Sequence, residues 1–362
     1  MKTKAIILGL IFALIPVLTR AENGIKMVVG TYTDAGSKGL YSFSFDDSNG
    51  SAKELSSLKV DNPSYFTFSK NGRFIYAVSE KNNATAALNA ISFDPVKGDF
   101  GFMNSQLTHG ADPCYVDTDG KIALTANYSS GTISVFPILK NGTLDKSLLM
   151  VSSKKGGPNK TRQNTPHAHC AIFAPDGYIL STDFSGDRIL SFYYDKNKKK
   201  LEDHGIAAHL KAGSGPRHIT FSPNGKYAYL ISELSGKVTV FTYKEGKLKE
   251  IQTLVADDAR AQGGADIHVS PDGKFVYAST RLKGDGITIF RVNGNGTLTR
   301  VSKQSTGKHP RNFAITPNGK FLLVACRDAN KIQVFSRDKN TGLLKNTNQD
   351  IYLSHPVCIR FL

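Results

Sequence analysis

The stretch GSGPRHITFSPNGKYAYLISELSG, residues 213–236, contains one complete two-stranded unit of this chain. Apolar residues alternate with small or polar ones on both sides of a Ser-Pro-Asn-Gly turn at residues 222–225, which predicts an antiparallel β-hairpin. Folding about the bond between residues 224 and 225 brings Arg217 and Glu233 together at the end opposite the turn. The pair is either a structural ion pair or part of a functional site.

The same unit recurs along the chain. Turns with an Asp-Gly or Asn-Gly tip begin at residues 71, 119, 176, 224, 272 and 318. Each turn joins an entering strand to a returning strand, and a third strand follows the returning one. The turns follow one another at intervals of 46 to 57 residues. A nearly fixed period of this size indicates a propeller or a solenoid.

The two ends of the chain are offset by one strand. Residues 27–32 form a returning strand without an entering partner, and residues 356–362 form an entering strand without a return. Joining them completes a seventh unit and covers sheet edges that would otherwise be exposed. The sequence therefore predicts an all-β fold with no helix of any length. The fold is a single seven-bladed β-propeller over residues 22–362, closed by pairing of the N- and C-terminal strands.

Residues 1–21 are predicted to precede this domain as a signal peptide. Lys2 and Lys4 come before an apolar run at residues 5–18, and Thr19-Arg20-Ala21 places small residues before a cleavage point. We expect cleavage after Ala21, export to the periplasm or the medium, and no membrane association afterwards. A retained N-terminal anchor is the alternative.

Charge and cysteine content narrow the function classes. The formal net charge is +16, but the lysines are spread over turns and no nucleic-acid-binding motif is present, so nucleic acid is not a predicted partner. The four cysteines lie far apart inside apolar runs, which predicts buried thiols and excludes a zinc ribbon or a redox pair. In an exported chain a disulfide remains the alternative.

Strand direction sorts the polar residues by face of the disc. Residues just before an entering strand and just after a returning strand share one face, whereas the turns lie on the other. The functional site is therefore predicted on the first face. Its candidate residues are Asn127, His167, His169, Asp183, Arg217, Glu233, Arg281 and Arg311, with Arg327 and His355 nearby.

These residue types favour acid–base chemistry on an anion. His167 and His169 lack a third ligand nearby, so no metal is predicted and a general acid or base is favoured. Arg217, Arg281 and Arg311 suit a carboxylate, a phosphate or a developing oxyanion. Glu233 suits the activation of water, and the neighbouring arginines should lower its pKa.

Several stretches resemble the β-propeller lactonase family, which includes the propeller class of 6-phosphogluconolactonase and the carboxy-muconate lactonizing enzyme. They span the mature chain: Val29-Gly30-Thr31-Tyr32-Thr33, Ala126-Asn127-Tyr128-Ser129-Ser130-Gly131, Arg162-Gln163, His167-Ala168-His169, Gly215-Pro216-Arg217-His218, Ser232-Glu233-Leu234, Ser279-Thr280-Arg281 and Pro310-Arg311-Asn312-Phe313.

The resemblance implies a hydrolase of carbohydrate metabolism that opens a sugar lactone without a cofactor. It places the catalytic residues at His169, Arg217, Glu233 and Arg281. We expect Asn127, His167, Asp183 and Arg311 to bind substrate. The chain departs from the family at Cys326 and at Phe184-Ser185-Gly186, in the wall of the site, which leaves the substrate open.

Export bears on the substrate, since 6-phosphogluconolactone is a cytosolic metabolite. It favours a free sugar lactone or a related small anionic lactone. We expect a monomer or a weak oligomer. Two other functions stay open: an exported propeller that binds a partner, and a cyclase or lyase of the muconate type, in which His169 and Glu233 move protons.

Overall fold

The computed structural model describes residues 24–153 and 156–362, which form an almost entirely β structure. The predicted signal peptide lies outside the described residues. The strands in the first half of the chain are β1 (Ile25–Thr31), β2 (Gly39–Phe45), β3 (Ala52–Lys59), β4 (Phe66–Phe68), β5 (Phe74–Ser79), β6 (Ala87–Phe93), β7 (Phe100–Leu107), β8 (Pro113–Thr118), β9 (Ile122–Asn127), β10 (Thr132–Pro137), β11 (Leu148–Val151), β12 (Ala168–Phe173), β13 (Ile179–Asp183), β14 (Arg188–Asp195) and β15 (Lys200–His209).

The second half continues the pattern and contains the single helical element of the described chain, a 3-10 turn at Arg327–Ala329. Its strands are β16 (Pro216–Phe221), β17 (Tyr227–Ser232), β18 (Lys237–Lys244), β19 (Lys247–Val255), β20 (Gly264–Val269), β21 (Phe275–Thr280), β22 (Gly286–Val292), β23 (Leu298–Ser305), β24 (Pro310–Ile315), β25 (Phe321–Cys326), β26 (Lys331–Arg337), β27 (Leu344–Asn346), β28 (Ile351–Tyr352) and β29 (Pro356–Phe361). Within the described residues, no helix has the length and apolar character needed to cross a membrane.

Seven antiparallel sheets form the seven predicted blades. Blade 1 contains β29, β1, β2 and β3 in that order, and blades 2 to 6 each contain four consecutive strands, beginning at β4, β8, β12, β16 and β20. Blade 7 contains β24 to β27, with β28 also paired to β26. The C-terminal β29 is hydrogen-bonded to the N-terminal β1, with Phe361 opposite Met27. Closure of the ring by the two ends is therefore confirmed.

The hairpin at residues 213–236 has the predicted register. Phe221 on β16 faces Ala228 on β17, as folding about the bond between residues 224 and 225 requires. Gly225 has a φ of +68°, which glycine adopts without steric cost. The second strand is buried along nearly its whole length, because neighbouring blades cover both of its faces.

The outermost strand of each blade was missed by the sequence pattern. These strands carry mostly exposed or half-buried residues, as in β3 and β19, and so lack the apolar alternation of the inner strands. They complete each blade at the outer edge of the disc.

The four cysteines are buried and none is joined to another, in agreement with the predicted thiols.

A β-bulge near the start of the innermost strand aims one side chain into the central channel. In β16 the register passes from Pro216 directly to His218, which leaves Arg217 without a partner on β17. The same shift occurs in four other blades, and bulges redirect side chains in this way. The five bulged residues, called here the channel ring, are Cys114, His169, Arg217, Arg311 and Val357.

Candidate active site

A second ring of residues lies where each returning strand ends, on the same face of the disc. The backbone N–H of each residue donates to a carbonyl just before the inner strand of its own blade, as Glu233 does to Gly215 O at 2.8 Å. These residues, called here the rim ring, are Tyr32, Glu80, Tyr128, Phe184, Glu233, Arg281 and Arg327. The rim ring and the channel ring together form the mouth of the channel.

Glu233 lies at the centre of an arginine cluster in this mouth. Arg217 Nε donates to Glu233 Oε2 at 3.0 Å, and Arg281 Nη2 lies 3.2 Å from the same oxygen. All three side chains are almost fully buried. The ion pair predicted from the hairpin therefore exists, and it contains a second arginine from the next blade.

A third arginine, Arg162, was not among the predicted site residues. Its Nη2 donates to Glu233 Oε1 at 2.6 Å and to Tyr128 Oη at 3.2 Å, and its guanidinium lies over the Phe184 ring. Arg162 belongs to the connection between β11 and β12, which Gln163 fixes by donating to Phe184 O at 3.0 Å. A loop residue carries no strand periodicity, so only its place in a family-like motif could have pointed to it.

The arginines hold Glu233 in its ionised form. Burial alone would raise the pKa of this carboxyl, but Arg281, Arg217 and Arg162 outweigh burial and lower the pKa to about 2. The direction agrees with the sequence-based expectation. At neutral pH the cluster therefore contains one carboxylate and three guanidinium groups, an excess of positive charge that faces the mouth.

This shift makes a pH-dependent contribution to stability. A depressed pKa stabilises the fold above the unfolded-state pKa, and the stabilisation is lost as the pH falls through the folded-state value. We expect the difference in unfolding free energy between wild type and Glu233→Gln to be constant above pH about 4.5 and to shrink toward pH about 2. Urea unfolding at a series of pH values measures this difference. A difference that stays constant down to pH about 2 would contradict the arrangement.

His169 approaches the cluster from the neighbouring blade. Its Nε2 lies 4.0 Å from Glu233 Oε2, and its Nδ1 lies 3.6 Å from Cys114 Sγ. Burial, and then the charge of Arg217, lower the pKa of His169 well below its usual value, so the imidazole is neutral. The four predicted catalytic residues thus share one buried cluster on one face of the disc.

His167 lines the wall of the mouth. Its ring stacks on Tyr128 with centroids 4.1 Å apart, and its Nδ1 lies 2.9 Å from Tyr128 O. His169 contacts the same Tyr128 ring edge-on at 5.3 Å. Within residues 24–153 and 156–362, no group of three or more histidine, cysteine or acidic side chains has a metal-binding arrangement.

Arg311 lies elsewhere in the mouth, with the rim residues Tyr32 and Glu80. Its guanidinium lies over the Tyr32 ring, and Nη2 is 3.9 Å from Glu80 Oε1. Tyr32 Oη donates to both oxygens of Glu80, at 3.0 and 3.1 Å. Glu80 was not predicted, although its position after the returning strand of blade 2 matches that of Glu233 in blade 5.

A small cavity lies in the channel beside Arg311. Channel-ring residues line it together with Ser64 and residues of the inner strands. Ser64 is 3% exposed and its Oγ has no hydrogen-bond partner among the described residues. The Arg311 guanidinium likewise makes no hydrogen bond to the described part of the chain, since its ion pair with Glu80 is too long for one.

Two of the predicted substrate-binding residues do not join the mouth. Asn127 is fully buried, and its side-chain amide donates to Thr132 Oγ1 at 3.0 Å and to Ser134 Oγ at 2.8 Å. Asp183 is also fully buried and accepts from Arg188 Nε at 2.8 Å. Both side chains stabilise their own blades, so their assignment to substrate binding is corrected. Their sequence position was right for the face, but their side chains point into the blade.

The profile of the family described as "Lactonase, 7-bladed beta-propeller" matches residues 26–361. The 6-phosphogluconolactonase of Bacillus subtilis is 36% identical over 346 residues, which are 92% of this chain and 97% of the relative. A proposed 6-phosphogluconolactonase of Bacteroides uniformis has a similar structure, with a TM-score of 0.91 and 54% identity, over 93% of this chain and 99% of that one. The periplasmic gluconolactonase of Pseudomonas aeruginosa has a TM-score of 0.88 and 31% identity, with the same coverage.

Proposed function

The chain belongs to the seven-bladed β-propeller lactonase family, and from this membership we propose that it hydrolyses the ester bond of a sugar lactone. Relatives named 6-phosphogluconolactonase and gluconolactonase support a lactone-hydrolysing enzyme. The observation that carries the proposal is the cluster of a buried Glu233, two buried arginines, a third arginine on the solvent side and a neutral histidine in the mouth of the channel.

The cluster suits the attack of water on a lactone carbonyl. Attack places negative charge on the carbonyl oxygen, and buried guanidinium groups stabilise such an oxyanion. We assign this role to Arg217 and Arg281, which lie deepest in the cluster and whose side chains are 2% and 6% exposed. Arg162, at 36%, lies on the solvent side and is suited to bind substrate.

Glu233 and His169 form the acid–base pair of the proposal. Glu233 accepts the proton of the attacking water, and this proton then passes to the alkoxide that leaves when the ring ester bond breaks. His169 is neutral, so it assists as a hydrogen-bond donor to the leaving oxygen, not as an imidazolium. A pKa of about 2 makes Glu233 a weak base, so the reaction depends on its fixed position between the arginines.

We further propose that the lactone carries an anionic substituent, which Arg311 binds. Arg311 offers donors that make no hydrogen bond within the described chain, and its side chain is 17% exposed at the mouth of the channel. Glu80 is the carboxylate nearest to Arg311, and Tyr32 engages both of its oxygens. A phosphate or carboxylate would satisfy the unpartnered donors.

We expect Arg311→Gln to lower kcat/KM for 6-phosphogluconolactone by ~10–10²-fold, the loss of a hydrogen bond to a charged group, and to change hydrolysis of unphosphorylated gluconolactone much less. Arg327→Gln is the matched control, because Arg327 is on the same face but already pairs with Asp328. Steady-state kinetics on both lactones measures the effect. An equal loss on both substrates would contradict an anion site at Arg311.

We propose export to the periplasm or the medium, supported by the residue pattern of positions 1–21 and by the periplasmic relative. Cell fractionation and N-terminal sequencing test it.

The central experiment is a hydrolysis assay of the mature protein on gluconolactone, 6-phosphogluconolactone and a muconolactone. Hydrolysis of a sugar lactone supports the proposal. Muconolactone turnover alone, or binding without turnover, would favour the cyclase or the binding protein instead.

A further inference from the structure

A hydrogen-bonded chain of buried residues, which the proposed reaction does not use, contacts the Arg217 guanidinium. His218 Nε2 lies 3.3 Å from Arg217 Nη1, and His218 Nδ1 lies 2.8 Å from Asp266 Oδ1. His218 is 4% exposed and Asp266 is 1% exposed. The chain therefore runs from Asp266 through His218 to Arg217 and ends at Glu233, whose Oε2 accepts from Arg217 Nε.

The hydrogen-bonding groups of Arg217 and Asp266 determine the tautomer of His218. A guanidinium group can only donate, so the Nε2 atom that faces Arg217 must accept. The proton of a neutral imidazole then lies on Nδ1, which donates to the Asp266 carboxylate. Burial, and then the charge of Arg217, lower the pKa of His218 to about 3, in agreement with a neutral ring.

Asp266 is itself held in place on both oxygens. Its Oδ1 accepts from the Ile267 backbone N–H at 3.0 Å, while Oδ2 contacts His268 Nε2 at 2.8 Å and accepts from Asn312 Nδ2 at 2.5 Å. These contacts hold the Asp266 carboxylate in place, so it cannot move with the His218 ring if that ring shifts. Burial opposes its ionisation, but His268, and then His218, lower the pKa of Asp266 well below its usual value.

Aromatic contacts fix the plane of the His218 ring as well. The ring lies edge-on to Tyr115 at 5.1 Å, to His169 at 5.3 Å and to Tyr65 at 5.7 Å. A ring rotation would break these contacts together with both hydrogen bonds. The orientation of Nε2 toward Arg217 is therefore determined by packing as well as by charge.

We propose that His218 and Asp266 are positioning residues that orient the Arg217 guanidinium for the proposed lactone hydrolysis, on which this inference rests. Nε and Nη1 of Arg217 donate to Glu233, Ala265 and His218, and Nη2 alone has no hydrogen-bond partner among the described residues. The chain thus directs Nη2 toward the substrate. A neutral imidazole between Asp266 and Arg217 fixes the guanidinium and keeps the buried carboxylate away from the mouth.

The tautomer is testable without any assay of activity. In protein labelled with ¹⁵N on its histidine rings, we expect His218 to be neutral with its proton on Nδ1 between pH 5 and 8, and His218→Gln assigns the signal. A proton on Nε2, or a protonated ring, would overturn the inference. This measurement holds even if the wild-type protein hydrolyses no lactone, an outcome that would refute the proposed function alone.

Two substitutions of His218 separate positioning from stability. Asn can donate to Asp266 from the Nδ1 position but loses the acceptor for Arg217, and we expect kcat/KM to fall by ~10²-fold, the usual cost of a misplaced catalytic group. Gln can place an amide oxygen near the Nε2 position and should recover much of this loss. Asp266→Asn should lower kcat/KM as well, because it no longer enforces the Nδ1–H tautomer.

Thermal melting of the same proteins provides the control. A purely structural role predicts lower melting temperatures for both His218 variants with an unchanged kcat/KM of the folded protein, and this result would refute the inference while lactone hydrolysis by wild type stands. A kcat/KM that is largely recovered in His218→Gln but not in His218→Asn supports the inference. The two variants differ mainly in whether the new side chain can bond to Arg217 or to Asp266.

Discussion

Glu233→Gln is expected to lower lactone turnover by ~10²–10⁴-fold, the usual effect of removing a general base. The substitution keeps the size and shape of the side chain and removes its charge. The arginines that bind substrate remain, so KM should change far less than kcat. Stopped-assay or coupled-assay kinetics on the lactone that wild type hydrolyses best measures both constants.

The same substitution should also destabilise the protein. Arg217 and Arg281 are almost fully buried and would lose their shared counter-charge, and breaking a buried ion pair typically costs about 3–5 kcal/mol. A lower melting temperature therefore does not distinguish a catalytic from a structural role. Turnover must be compared at a temperature where the variant is fully folded, as checked by circular dichroism.

Asp272→Asn is the matched control for this loss of stability. Asp272 pairs with Arg337 at 3.1 Å, and the Arg337 side chain is 0% exposed. The pair lies at a turn on the opposite face of the disc. We expect Asp272→Asn to lower the melting temperature in the same way with normal turnover. If Glu233→Gln behaves like this control, Glu233 has no catalytic role and serves only to neutralise the arginines.

The propeller was predictable from sequence because its determinants are local and repeated. Six of the seven inner strand pairs are hairpins with their own turn signal and their own apolar alternation. The two ends of the chain supply the seventh pair, and their offset is visible in the order of the strands. Seven copies of one pattern make the interpretation robust to a weak copy such as β4, which has only three residues. The outer strands were not predicted, because their half-exposed residues show no such alternation.

The site was predictable only in part, because its geometry depends on contacts between blades. Strand direction placed Arg217, Glu233, Arg281 and His169 on one face correctly. It could not show the bulges that direct Arg217 and His169 into the channel, since a bulge changes one residue of register without a sequence signal of its own. The face prediction also included Asn127, the last residue of β9, whose side-chain amide bonds to Thr132 and Ser134 within its own blade.

Other site residues escaped for different reasons. Arg162 comes from a connection, where no periodicity constrains a side chain. Glu80 is related to Glu233 only by its position in another blade, 153 residues earlier, and its partners Tyr32 and Arg311 come from two further blades. A comparison of equivalent positions blade by blade, which the repeat already allows, would have found Glu80.

Removal of the C-terminal strand should abolish the folded ring. In a protein truncated after Ser354, blade 1 loses its inner strand and the edge of β1 becomes exposed. Val357, Cys358 and Ile359 are at most 2% exposed, and burial of an apolar side chain contributes about 1.5–3 kcal/mol. With the lost ladder hydrogen bonds, the total approaches the whole stability of a typical domain, about 5–15 kcal/mol.

The expected result is the absence of a cooperative melting transition and of lactonase activity, with aggregation visible by size-exclusion chromatography. A circular permutant provides the control, because the ends are adjacent: Leu362 N donates to Lys26 O at 3.0 Å. A short Gly-Ser linker from Leu362 to Gly24, with new ends between Lys196 and Asn197 in an exposed turn, keeps every blade complete. This permutant should fold and retain turnover, since closure then depends on the backbone itself. A truncated protein that melts cooperatively near the wild-type temperature would show that closure by β29 contributes little to stability.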